Sequence, residues 1–388
     1  MSNKKYAYIN KDMLVWARSK TPFVTTSDVE DYKKKIKAEK LELWEKGDEL
    51  PSITEAKELS KLYKVPFACF FLSEPPEKEP KRYIDRRTKI GTAYREISYE
   101  LWKEIERIKH NRVIMMEYDM ESDYSYIPSF DEKKSISDIS NVMRDYLGIT
   151  SPYKAKNRYD NNAFRYFRNL FESKGIIVAQ VAEVSLDEMK GLSIYYDRFP
   201  IIAVNNKDYE RAKVFSLFHE LAHIIRRNSS LCMIDFDDRN DKEEKLCDKI
   251  AAEILMPEAA FKVEAEKNKT GNYDDSDYSL IDIADKFAVS TTAVLRRLYE
   301  LKRISYSDYQ NVYKKLSDEF QAKIESEKSK VKDNFRIEYY KTFLSREGYL
   351  FPRTIVDAYY RGDLSYGEMC GALNLNSKHI NKIEQAVM

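Results

Sequence analysis

The feature that most constrains this chain is an apolar stretch, residues 214–225, that carries two histidines and a glutamate among aliphatic and aromatic residues. Apolar side chains on nearly every side predict a buried helix. His219, Glu220 and His223 have the spacing H-E-x-x-H, which puts both imidazoles on one helix face, where they can bind one metal ion. Glu220, about 100° round the axis, would lie beside the ion as a base for water. The alternative is a buried helix whose histidines are satisfied by hydrogen bonds alone.

A second helix is predicted for residues 243–257, where Pro257 stops it. A tetrahedral zinc site of the catalytic kind needs a third protein ligand and an open position. Glu244 is our prediction for that ligand, because it shares a face with Asp248 and the small Ala251, which allows close approach of the first helix. Asp248, one turn further along, is predicted to accept a hydrogen bond from the nitrogen of a histidine that does not bind the metal.

Other interpretations of this helix remain. Glu243 competes with Glu244 as the ligand. Cys247 has suitable ligand chemistry, but it lies about a third of a turn from Glu244, and we interpret it as a small buried residue. Charged clusters on helices are commonly solvated faces, so Glu243, Glu244 and Asp248 could form one.

Four segments around these helices together resemble the ImmA/IrrE metallo-endopeptidases. They are residues 200–205, 211–223, 244–248 and 251–257. The resemblance implies an α+β, mainly helical chain, whose zincin-like peptidase core has a small β-sheet and is flanked by helix-turn-helix-like modules. It implies Zn2+ as the cofactor, His219, His223 and Glu244 as its ligands, and Glu220 as the base. It also implies a protein substrate, either a helix-turn-helix repressor or the product of an adjacent gene.

The run 175–184 and the run 192–205 are rich in β-branched and apolar residues, and they predict strands of a small sheet before the motif helix. In zinc peptidases an edge strand that lines the cleft can hold the substrate backbone by strand addition. Our candidate for that strand comprises Gly191, Leu192, Ser193, Ile194 and Tyr195. An ordinary packed strand is the alternative.

The N-terminal part, residues 1–72, predicts a run of short helices. The string Leu-Trp-Glu-Lys-Gly at 43–47 and the segment 50–67 resemble the end of an Xre-type helix-turn-helix domain. In that family the recognition helix precedes the Trp-Glu-x-Gly turn, which places it at 27–40 here, without the usual Thr-Gln start. That segment carries lysines that could contact DNA phosphates, namely Lys33, Lys34, Lys35, Lys37 and Lys40. A solvated lysine-rich helix is the alternative.

The rest of the chain divides into four predicted regions. Residues 73–135 form a proline-containing connector and a bracing helix, 136–262 the zinc metallopeptidase domain, 263–330 a helix-turn-helix-like module with a charged helix, and 331–388 a C-terminal helical module. In the third region, Ser290 is predicted to cap a second helix after a turn at Ala288 and Val289. Its arginines, among them Arg296 and Arg297, make that module the better of the two for binding phosphate. In the ImmA/IrrE family the corresponding module packs beside the peptidase, so the resemblance equally implies a structural or substrate-docking role.

Net charge, cysteine spacing and hydropathy indicate the cellular compartment but not the activity. The formal net charge is +1, so no global basic field attracts nucleic acid. The 4 cysteines show no C-x-x-C spacing, which fits a reducing compartment. The longest apolar run, residues 65–72, is too short to cross a bilayer, and we expect a cytoplasmic protein without a membrane partner.

Two function classes remain. The first is a zinc endopeptidase, and the second is a DNA-binding regulator or antitoxin-like partner with a latent or structural metal site. A structural zinc site has four protein ligands. Because the sequence offers no clear fourth ligand and Glu220 would then be idle, the enzyme is favoured.

Overall fold

The computed structural model describes residues 5–76, 97–119, 127–130, 134–150, 162–227, 230–232, 242–270, 278–329 and 338–388. The chain splits into two compact units, Met1–Lys109 and His110–Met388. The finer domain boundaries stay predictions. Parts of the predicted connector and of the predicted loops lie outside the described residues, at 77–96, 120–126, 131–133 and 271–277.

The first unit is helical. Its elements are α1 (Lys11–Ser19), α2 (Thr26–Tyr32), α3 (Ala38–Lys46), α4 (Ile53–Tyr63), a 3-10 helix (Phe67–Phe71) and the first half of α5 (Tyr99–Tyr118). Buried side chains from these elements, Leu14, Leu41, Trp44, Leu59 and Phe70 among them, form one core.

The Trp-Glu-x-Gly string ends α3 for identifiable reasons. Trp44 is buried in the core, and Glu45 binds the guanidinium of Arg18 on α1 through both oxygens, at 2.8 and 2.9 Å. Gly47 takes a left-handed conformation, with φ +83°, as the C-cap, which glycine adopts at little cost. The string therefore closes one helix and ties it to another.

The prediction of one recognition helix over residues 27–40 is wrong. Helix α2 ends at Tyr32, and a turn separates it from α3. Ile36, in that turn, is buried in the core, and the Glu30 carboxylate accepts a hydrogen bond from the Ala38 backbone N–H at 2.8 Å. A carboxylate at a helix N-terminus is favoured by the helix dipole, so burial of Ile36 and capping by Glu30 together start a new helix at Ala38.

The second unit surrounds a small sheet. Before the sheet come the second half of α5, α6 (Ile136–Leu147) and α7 (Ala163–Glu172), and the strands are β1 (Ile177–Val181), β2 (Gly191–Ile194), β3 (Ile201–Asn205) and β4 (Ser230–Cys232). The motif helix, α8 (Glu210–Ile225), lies between β3 and β4 in the chain, and α9 (Lys242–Leu255) follows. The remaining helices are α10 (Glu258–Lys267), α11 (Leu280–Phe287), α12 (Thr291–Glu300), α13 (Tyr306–Ser329), α14 (Tyr339–Glu347), α15 (Leu350–Arg361), α16 (Tyr366–Ala372) and α17 (Ser377–Val387).

The sheet has the strand order β1-β3-β2-β4. β1 runs parallel to β3, with Ile177 opposite Ile201, and β2 runs antiparallel to both β3 and β4. The run 192–205 therefore contributes two strands. Every residue of β1, β2 and β3 is buried, as their apolar sequences predict, and α8 packs against β2 and β3. One face of the motif helix is therefore covered by the sheet.

The C-terminal helices are anchored to the sheet by a buried arginine. Arg168 on α7 donates to the Val178 carbonyl of β1 at 2.9 Å and to the Ser345 carbonyl of α14 at 2.7 Å. Glu172 pairs with Arg168 and accepts from the Tyr349 backbone N–H. Burial raises the pKa of Glu172 and lowers that of Arg168, although the ion pair opposes both shifts. Because the arginine satisfies carbonyls of both elements, it fixes α14 beside β1.

The architecture is mainly helical α+β with a small sheet, as the sequence predicts. The predicted bracing helix corresponds to α5, the predicted helices before and after the turn at Ala288 and Val289 correspond to α11 and α12, and the Ser290 side chain caps α12. Across the described helices, none combines the length and the hydropathy that crossing a bilayer requires.

Candidate metal centre

The motif helix α8 brings its two histidines together in the interior. His219 and His223 are 7% and 0% exposed, and their rings meet edge to face with centroids 4.9 Å apart. The two Nε2 atoms are 3.2 Å from each other. Since residues four apart share one helix face, α8 aims both nitrogens at one point.

Helix α9 adds a carboxylate at that point. Glu244, in its first turn, places Oε2 3.1 Å from His219 Nε2 and Oε1 3.5 Å from His223 Nε2. Small side chains, Ala222 on α8 and Ala251 on α9, are fully buried and let the two helices pack closely. His219, His223 and Glu244 thus converge as the sequence analysis proposed.

The other nitrogen of each histidine has its own partner on α9. Asp248 Oδ1 lies 2.7 Å from His219 Nδ1, and Cys247 Sγ lies 3.3 Å from His223 Nδ1. A histidine that donates its Nδ1 proton presents an unprotonated Nε2. Two adjacent residues of α9 therefore orient both imidazoles, and the role of Cys247 was missed by sequence reasoning.

The arrangement fits a zinc ion. Ligand atoms bound at about 2.0–2.1 Å in a tetrahedron lie roughly 3.3 Å apart, and the three separations here run from 3.1 to 3.5 Å. When both histidines carry their proton on Nδ1, the two Nε2 lone pairs and the Glu244 carboxylate face one another in the interior, an arrangement that a cation stabilises. Two histidines and a glutamate also leave the open position that a catalytic site requires.

The alternative ligands have other contacts. Glu243 binds Arg226 through both oxygens, at 2.6 and 2.8 Å, so its carboxylate already has a partner. Glu243 and Cys247 do form a second candidate group with His223. We favour Glu244, because it is 4% exposed and reaches both Nε2 atoms.

The Glu220 side chain lies between α8 and the sheet. It is fully buried, and its Oε2 accepts a hydrogen bond from the Ser230 hydroxyl of β4. Ser230 also contacts the Ser193 hydroxyl of β2 at 2.7 Å. A Cβ atom on Gly191 would lie 2.7 Å from Glu220 Oε1, so the absence of a side chain at Gly191 gives the carboxylate its space. No pattern in the sequence indicates a role for Ser230.

The edge position expected for residues 191–195 is wrong. β2 lies between β3 and β4, and its outer side pairs with β4 through Gly191 with Cys232, Leu192 with Leu231, and Ser193 with Ser230. Tyr195 follows the strand, and its hydroxyl donates to Asp197 at 2.6 Å. Both sides of β2 are thus filled by the chain itself, because the segment after α8 returns to the sheet.

Helix α12 contacts the carboxylates of α9 through two arginines. Arg296 Nη2 lies 2.9 Å from Asp248 Oδ2, while Arg297 pairs with Glu253 and donates to the Met256 carbonyl at 3.1 Å. Burial by itself raises the pKa of Asp248, but the hydrogen bond from His219 and the charge of Arg296 outweigh burial and hold this pKa below its ordinary value. Both arginines thus pair with carboxylates of α9, which favours the structural role for this module, and phosphate binding by it stays a prediction.

The lysine cluster of the first unit has local partners. Three of its members pair with carboxylates: Lys33 with Glu58 at 3.2 Å, Lys34 with Asp31 at 3.2 Å and Lys37 with Glu30 at 2.7 Å. Lys35 and Lys40 are exposed. A lysine paired with a carboxylate loses part of its attraction for a phosphate, so phosphate binding here stays a prediction.

Comparison with known proteins bears directly on the second unit. Residues 178–299 match the family model of the IrrE N-terminal-like domain, Peptidase_M78. Over this segment the chain is similar to the IrrE N-terminal-like domain. The match begins in β1 and ends in α12, so the matched segment includes both helices of the metal centre and the helix whose Arg296 contacts Asp248.

Other comparisons are weaker. A Mycobacterium tuberculosis transcriptional regulator of known structure shares 16% identity with this chain at a TM-score of 0.29, and the similarity covers 50% of this chain and 51% of the other. The chain thus spans about half the length of that protein. Among curated proteins, no sequence matches the chain significantly.

Proposed function

We propose that the protein is a zinc-dependent endopeptidase of the ImmA/IrrE type. The observation that carries the proposal is the convergence of His219, His223 and Glu244, together with the buried carboxylate of Glu220, the residue that follows His219 on α8. A structural zinc site would have no use for that carboxylate, whereas peptide hydrolysis needs a base next to the metal. The peptidase family match over the same residues supports this choice.

The side chains would divide the work as follows. His219, His223 and Glu244 would hold the zinc ion, which supplies a Lewis acid for the peptide carbonyl and for water. Glu220 accepts a proton from the attacking water at Oε1 and returns it to the leaving nitrogen. Asp248 and Cys247 keep the two imidazoles turned so that Nε2 faces the site.

The substrate class follows from burial and from the family. Glu220 is 0% exposed and Glu244 is 4% exposed, so only an extended, locally unfolded segment would reach them. We propose a protein substrate of that kind, either a helix-turn-helix repressor or the product of an adjacent gene, as the ImmA/IrrE resemblance implies.

The test is co-expression with each protein encoded by a neighbouring gene, followed by mass spectrometry of both partners. Cleavage is expected with the parent and not with Glu220→Gln, which removes the base and keeps the metal ligands. Glu258→Gln, an exposed glutamate on α10, is the matched control and should cleave like the parent.

A different result would support the regulator alternative. If neither a partner nor the chain itself is cut, while Glu220→Gln regulates its own promoter as the parent does, the protein acts as a DNA-binding regulator with a latent metal site. In that case DNA affinity should fall steeply with salt and depend on Lys35 and Lys40, because phosphate contacts release counterions.

A further inference from the structure

A serine pair links the sheet to the Glu220 carboxylate. Ser230 has one hydroxyl proton, and its contact with a buried carboxylate oxygen means that this proton is donated to Glu220. The 2.7 Å contact between the two serine hydroxyls must then be a donation from Ser193 to Ser230. The direction of both hydrogen bonds is fixed, from β2 through β4 to the motif helix.

The two oxygens of Glu220 differ in their surroundings. Oε2 accepts from Ser230, whereas Oε1 is buried and has no hydrogen-bond partner among the described residues. Oε1 lies in the space left by Gly191, where a Cβ would also approach Cγ and Cδ to 3.1 and 3.2 Å. Gly191 does not have a positive φ, so it is required here for space and not for backbone conformation.

Such a carboxylate needs a positioning contact. The last torsion of a glutamate side chain has a broad distribution, so packing alone does not fix the plane of the carboxylate. One hydrogen bond from a donor with a fixed position removes that freedom. Ser230 is such a donor, because the pairing of β4 with β2 fixes its backbone and Ser193 fixes its hydroxyl.

We propose that Ser230 is a positioning residue for Glu220, holding Oε2 so that Oε1 is the oxygen that takes the proton. This inference rests on the proposed function for the role of Oε1, but the coupling of Ser230 to Glu220 is a property of the metal-free chain. The contribution of β4 to the site would then be to place the Ser230 hydroxyl beside Glu220.

The first experiment is a double-mutant cycle on the stability of the metal-free protein, using Ser230→Ala, Glu220→Ala and the combined variant. In the parent, Ser230→Ala leaves a buried carboxylate without this donor, whereas in the Glu220→Ala background that carboxylate is absent, and the contacts that Ser230 makes elsewhere cancel in the cycle. A coupling of at least fivefold in the unfolding equilibrium constant is expected. Ser140→Ala, which removes another buried serine hydroxyl on α6, should be additive with Glu220→Ala within about twofold.

The second experiment measures binding of acetohydroxamic acid to the zinc-loaded protein. This probe chelates zinc through two oxygens and offers protons to an adjacent carboxylate, so its affinity reports where the Glu220 carboxylate lies. Ser230→Ala should weaken binding about fivefold or more, Ser230→Thr should restore it to within about twofold, and Ser140→Ala should have no effect.

The outcomes separate the two proposals. An additive cycle for Ser230 and Glu220 would overturn the positioning role whatever the metal does. Zinc loading without any effect of Ser230→Ala on the probe would also overturn it. A parent chain that binds no zinc would contradict the proposed peptidase function. The double-mutant cycle, which needs no zinc, would still decide whether Ser230 positions the Glu220 carboxylate.

Discussion

Zinc affinity should depend on Arg296, a residue of α12 that touches no metal ligand. Its guanidinium lies 2.9 Å from Asp248, and Asp248 lies 2.7 Å from Nδ1 of His219. Loss of a partner behind a metal-binding histidine typically costs about 10–100-fold in metal affinity, or about 1.4–2.7 kcal/mol. Asp248→Asn keeps an acceptor oxygen and loses the charge, so about tenfold weaker zinc binding is expected.

Arg296→Ala should have a smaller effect. The Arg296 side chain is 31% exposed, so solvent screens its pairing with Asp248, and a pair of this kind contributes about 0.2–1 kcal/mol. Zinc binding about threefold weaker than in the parent follows. Asp248 itself, at 6% exposed, is not screened in this way, which is why the two variants should differ.

Competition with a chromophoric zinc chelator measures these affinities directly. Arg303→Ala is the matched control, because Arg303 also has a 31% exposed side chain and an ion pair, with Glu266 at 2.6 Å. The control should bind zinc like the parent. The reasoning is refuted if Arg296→Ala binds zinc as tightly as the parent, or if Arg303→Ala weakens binding to the same extent.

Two further predictions concern the ligand assignment and the C-terminal anchor. Glu244→Ala should lose zinc while Glu243→Ala keeps most of it, as measured by metal content after dialysis; the reverse would shift the ligand by one residue. Gly348→Ala should lower the free energy of unfolding by about 1–3 kcal/mol more than Gly362→Ala, as measured by denaturant titration. Both glycines have a positive φ, +83° and +85°, but ψ is −169° at Gly348 and +10° at Gly362. The combination at Gly348 is almost restricted to glycine, and a Cβ there would also collide with the buried Glu172 carboxylate, whereas nothing lies near a Cβ at Gly362. Equal losses would show that this close packing is unimportant.

The parts of the site that lie on helices could be predicted from the sequence. The H-E-x-x-H spacing fixes two residues on one face by helix geometry alone, and Pro257 marks the end of the helix that carries Glu244. Periodicity therefore places three metal-ligand candidates without any knowledge of the tertiary structure.

The parts that depend on distant pairing could not be predicted. Ser230 follows the motif helix in a polar segment, and only its pairing with β2, 37 residues earlier at Ser193, brings it to Glu220. The same pairing turns residues 191–194 from an edge strand into an interior one. A strand of three residues has too little pattern to reveal its partner.

The N-terminal prediction failed for a related reason. The lysine-rich segment 27–40 has the composition of one solvated helix, but Ile36 is needed by the core and Glu30 caps the following helix. Tertiary contacts of two residues outweighed local helix propensity there.

Metal content is the most direct test of the central claim, that this IrrE-like domain holds a catalytic zinc ion. Elemental analysis should be made of the purified parent, His219→Ala and Glu220→Gln after zinc loading and dialysis. The parent and Glu220→Gln should each retain about one zinc ion per chain, and His219→Ala should retain almost none. A parent that retains no zinc, or a His219→Ala variant that retains as much as the parent, would contradict the account.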